Sequence, residues 1–139
     1  MRQDLPAHAF FMRRNYENAS ASALAYAAEL IAFNALPLFR HAFSDPFAAA
    51  RWLYFTLPYC VFPAAAFVSG FALCFLRGYR LSHVPLTAAA LMPAALIFYR
   101  VEGLQFALPV GRLLLICLAA SLAGLHLAFP LYAQRRLGE

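Results

Sequence analysis

Apolar residues fall in four long runs, about 19–39, 52–76, 83–99 and 106–132, and polar residues collect in the short stretches between them. Runs of this length suit helices crossing a hydrocarbon core of about 30 Å. The pattern predicts an all-α membrane protein, a four-transmembrane-helix antiparallel bundle over 19–134. Its short connections lead sequence neighbours to pack side by side. Residues 1–18 carry Arg2, Asp4, Arg13, Arg14 and Glu17 around a short apolar patch. They read as a cytoplasmic arm on the membrane surface, since the patch is too short for a cleaved signal peptide. Residues 135–139 form a basic cytoplasmic tail opening on Arg135-Arg136.

Local signals refine the runs. Asn18, Ser20 and Ser22 are candidate caps for the first helix, which ends near Pro37, with Arg40-His41 at the far interface. Ser44-Asp45-Pro46 predicts a turn, and Trp52-Leu53-Tyr54 an interfacial aromatic start to the second span. Pro58 and Pro63 predict a kink in that span's outer half. Pro63 and Pro93 can also free backbone carbonyls near the midplane, either as a broken helix or as a static kink satisfied by neighbouring helices. No internal repeat or heptad is visible.

Composition agrees with the pattern. The chain is 64% hydrophobic and 12% charged, against about a quarter charged in soluble domains. The 11 basic residues are all arginine, which excludes lysine Schiff-base chemistry. They are scattered singly or in pairs beside apolar runs, as topology signals, and form no basic face for nucleic acid. Placing both termini inside puts Arg2, Arg13, Arg14, Arg77, Arg80, Arg135 and Arg136 on the cytoplasmic side, against Arg40, Arg51, Arg100 and Arg112 outside. The positive-inside rule then gives an N-in/C-in, multi-pass protein of a bacterial-type inner membrane. Cys60, Cys74 and Cys117 form no CxxC pair, and no metal site or cofactor is indicated.

The anomaly is Glu29, an acid in the middle of the first run. A carboxylate at that depth costs about 2.5–3.5 kcal/mol on insertion scales, so it must be protonated, paired or facing water inside a bundle. It reads either as a proton or solute site or as a packing group bonded to a neighbouring helix. Tyr26 lies about 60° around the same helix, within reach of the acid, whereas Asn34 lies roughly 140° away. Asn34 and Ser121 read as interhelical polar contacts. His126 is either a proton relay or partner to Glu29, or a hydrogen-bonded packing residue. Helical rise from centred spans sets Ala64–Ala65, Met92–Pro93 and Ser121 at the depth of Glu29. Ala21, Ala25, Ala28 and Ala32, and Ala66 with Gly70, have the small-residue spacing that lets helices approach closely.

Four short spans with an acid in the first, and the run Ala28-Glu29-Leu30, resemble the small multidrug-resistance exporters. The likeness covers that one helix, and the third span lacks their glycine-rich pattern. No catalytic motif is present: no HExxH, no GxSxG and no phosphate-cradling loop. The chain thus reads as non-enzymatic, a subunit or helper of a larger membrane assembly whose partners are lipid and other membrane subunits or copies of itself. The alternative is a proton-coupled exporter or channel, working as a homo-oligomer around Glu29.

Overall fold

A computed structural model of the chain describes residues 7–98 and 110–138, with side chains from residue 19 onward. The described residues are helical, without a strand: α1 (Ala7–Ala35), α2 (Pro46–Arg51), α3 (Phe62–Arg77), α4 (His83–Phe98) and α5 (Val110–Leu137). A 3-10 turn, Leu36–Ala42, follows α1, and a π-helical segment, Trp52–Val61, joins α2 to α3. Three stretches are long and apolar enough to cross a membrane: Ala19–Ala42, Pro46–Arg77 and Val110–Leu137. The fourth, α4, is apolar and has 16 residues, about 24 Å at helical rise.

Several boundaries differ from the sequence reading. The second span starts at Pro46 instead of residue 52, because Asp45 caps it by accepting a hydrogen bond from Phe47 N–H at 3.0 Å. Proline follows at the first helical position, where its missing N–H is not needed. Pro58 produces a π segment, in which Phe62 N–H bonds back five residues to Leu57 O. The wider turn absorbs the missing donor without a break. At the other end, α5 runs through Arg135-Arg136 to Leu137, so the basic tail is largely helix. The residues 1–6 of the arm and 106–109 of the fourth run lie outside the described residues.

The helices stand at the corners of a square in the order α1, α3, α5, α4. Residue pairs fix the directions. Phe33 meets Phe62 edge-on at 5.4 Å between ring centroids, and Glu29, a turn earlier, lies beside Ser69, further along α3, so α1 and α3 are antiparallel. Gly70 lies against Ser121, and Gly124 against Phe67 and Phe71, while further along Arg135 covers the Phe75 ring; α3 and α5 therefore run parallel. Tyr26 meets His83 and Asn34 meets Ala90, which makes α1 and α4 parallel too.

Side-by-side packing of all sequence neighbours is thus corrected: α3 and α4, though joined by a short connection, sit at opposite corners. The reason is the α3–α5 contact. Cβ atoms at Gly70 and Gly124 would overlap the partner backbone, so only glycine permits this approach. Close backbone packing is a principal attraction between helices in lipid. The α3–α4 connection instead crosses the end of α5. Gly78, at φ 84°, sits against the Tyr132 ring, and Tyr79 packs on His126 and Phe129.

At the opposite end, Trp52 Nε1 donates to Leu36 O at 3.2 Å and ties the 3-10 turn to the second span. Replacing Trp52 with Phe is expected to lower stability by about 1 kcal/mol, the usual net value of such a bond. Unfolding in detergent would measure it, and an unchanged midpoint would show the bond to be idle.

Candidate functional site

Two apolar cores fill the bundle. The larger contains Phe33, Leu57, Phe62, Ala66, Leu91 and Leu113. The smaller contains Cys74, Leu125 and Ala128. In α3 and α5 the two are separated by short polar positions: Ser69 lies between Ala66 and Cys74, and Ser121 between Cys117 and Leu125. Glu29 and Tyr26 on α1, with Thr87 and His83 on α4, complete a polar layer drawn from all four long helices.

The buried face of α1 is Ser22, Glu29 and Phe33, continued by Pro37 in the 3-10 turn, all spaced at helical repeats. That face carries Glu29 inward, leaving it 4% exposed. The alanine stripe expected on this helix is not the buried face, since Ala28 is exposed. Ser69 and Thr87 stand beside the Glu29 carboxyl, yet neither Oε1 nor Oε2 has a hydrogen-bond partner, and Ser69 Oγ has none either. Thr87 Oγ1 donates to His83 O at 3.2 Å, one turn back, and lies 3.3 Å from Ser121 Oγ. His83 is 2% exposed, and its Nδ1 is hydrogen-bonded to the Tyr26 hydroxyl. Its Nε2 is buried without a partner.

The sequence-predicted residues divide. Glu29, Tyr26 and Ser121 belong to the layer, but Tyr26 bonds His83 and not the acid. Asn34 Nδ2 donates to Leu30 O at 2.7 Å and across to Ala90 O on α4 at 3.1 Å. Such bonds average about 0.6 kcal/mol in lipid, so Asn34→Leu is expected to cost no more than about 1 kcal/mol in the same unfolding assay. A larger loss would mean that the side chain has a further role. His126 is exposed and turned away from Glu29. Its Nδ1 donates to Leu122 O at 2.9 Å, and its Nε2 lies 3.4 Å from the Tyr79 hydroxyl. With α1 and α5 at opposite corners, the structure does not bring His126 and Glu29 together.

Sequence reasoning missed Ser69, Thr87 and His83. Each is a lone polar residue in or at the edge of an apolar run, and His83 passes for an interface marker. Centring each run put Ala64–Ala65 and Met92–Pro93 opposite Glu29, whereas Ser69 and Thr87 occupy that level. The offset arises because α4 is short, so its first residue, His83, is already buried. The same polar position in each run would have been the available signal. Among the described residues no group of His, Cys, Asp and Glu could hold a metal ion, and the three cysteines are free. The chain matches no protein-family model, no curated protein and no solved structure.

Proposed function

We propose that this chain is a multi-pass inner-membrane protein with both termini cytoplasmic, acting as a non-catalytic subunit or helper of a larger membrane assembly. The supporting observation is the distribution of polarity. Ile31, Val68, Ile97 and Leu115, one on each long helix, are 63–68% exposed, while Glu29, His83, Thr87 and Ser121 are buried. A bundle that turns its polar groups inward and its large apolar groups outward suits lipid and neighbouring membrane helices. The α4 stretch supplies the fourth crossing, and the arginine distribution supplies the orientation.

The test is purification of the tagged chain in mild detergent after crosslinking in intact membranes. Co-purification of other membrane proteins in fixed stoichiometry supports the helper reading; recovery of the chain alone, or only with copies of itself, counts against it. The second reading, a proton-coupled exporter or channel, is favoured by the unpartnered buried carboxyl of Glu29. For that reading, Glu29→Gln should leave the protein inserted but abolish proton-dependent solute efflux. Unchanged efflux would eliminate it.

A further inference from the structure

We infer that the polar layer is a binding site for one sodium ion, held by Glu29, Ser69 and Thr87 in exchange for the carboxyl proton. Glu29 Oε1 and Oε2 and Ser69 Oγ are buried and lack hydrogen-bond partners. The Thr87 hydroxyl hydrogen is directed to His83 O, so towards Glu29 this residue presents lone pairs only. Four oxygens from three helices therefore converge, with the Ser69 hydroxyl hydrogen as the one donor among them. One hydroxyl hydrogen leaves most of these lone pairs unsatisfied, a cation between them would satisfy the rest, and a set of carboxylate and hydroxyl oxygens suits a hard one.

Charge selects a monovalent ion. Glu29 is the one acid of the layer, and no described arginine bonds it. A single carboxylate in low dielectric neutralises one positive charge; a divalent ion would leave a buried excess. The close α3–α5 packing beside Ser69 favours a small one. Ser69 adjoins Gly70, whose Cα faces the Ser121 carbonyl with no room for a methyl group. The other titratable groups facing the layer are Tyr26 from α1, His83 from α4 and Cys117 from α5; the charge of Arg77 acts on Tyr26 and His83, and that of Arg80 on His83. None of these adds a second acid. His83 and Tyr26 bond each other, which leaves the Glu29 oxygens for the ion.

The inference stands under either reading of function, because it concerns what the layer holds and not what the chain assembles with or moves. It is tested by equilibrium binding of radioactive sodium to the purified protein in detergent. The expected result is one ion per chain, displaced poorly by potassium and not by choline. In the range where the carboxyl is protonated, affinity should weaken about tenfold for each unit that the pH falls. Glu29→Gln should abolish binding. Ser69→Ala, with its fold checked by circular dichroism, should weaken it about tenfold, as loss of one ligand worth about 1.4 kcal/mol predicts. Wild-type protein that retains no sodium overturns the inference and leaves a protonated carboxyl. Equal binding by wild type and Ser69→Ala, or sodium retained by Glu29→Gln, overturns it as well.

Discussion

Gly124→Val is expected to separate α3 from α5 and to destabilise the protein by about 3 kcal/mol, the upper part of the range for overpacking. The contact is reciprocal. A side chain at Gly124 would run into the Phe67 carbonyl, and one at Gly70 into the Ser121 carbonyl. Backbone cannot rotate aside as a side-chain tip can, so the helices must part. Parting them moves Ser121 away from Thr87, 3.3 Å across the interface with α4, and loosens the polar layer too. Gly111→Val, on the same helix with nothing within 4 Å, is the control and should be nearly neutral. Unfolding of both variants by a denaturing detergent decides the matter. Equal stability would mean that the α3–α5 contact does not hold the bundle together.

Phe33→Ala should cost about 2 kcal/mol while Ile31→Ala costs almost nothing, although both remove apolar groups from one helix. Phe33 is 0% exposed and meets Phe62 edge-on, whereas Ile31 is 65% exposed. In lipid the unfolded helix already shields its side chains from water, so the transfer part of the usual 3–5 kcal/mol is missing and the cavity part remains. The same two variants, measured by the same denaturation, test the packing of the interior against the passivity of the exterior. A loss at Ile31 as large as that at Phe33 would show that the outer face is itself packed.

The runs of apolar residues made the helices legible, because hydropathy and length are properties of a segment alone. Glu29 was legible for the same reason: an acid among alanines is anomalous before any neighbour is known. What surrounds it was not. Ser69 and Thr87 reach its level only because α4 starts with a buried residue and α3 is drawn against α5, and both are properties of pairs of helices. Asn34 could be assigned a role between helices from its type, but its acceptor, Ala90 O, depends on α1 and α4 being neighbours. His126 misled for the converse reason. A histidine in an apolar run suggests a buried partner, whereas the α3–α4 connection brings Tyr79 to it near the bundle's end. The square order of helices, with α3 and α4 across a diagonal, follows from two glycines, of which only Gly70 stood out in sequence, through its spacing from Ala66.

The π-helical segment sets the rotational phase of the second span. Buried positions there run Leu53, Leu57, Phe62, Ala66 and Gly70, a repeat longer than the 3.6 residues of an α-helix. Losing one residue from this segment while its wide turns persist would swing everything before the deletion by about a quarter of a turn. Trp52 would then point away from Leu36, and the first two helices would lose their clasp at that end of the bundle. This stretch should therefore tolerate exchanges of side chain far better than any change in its number of residues.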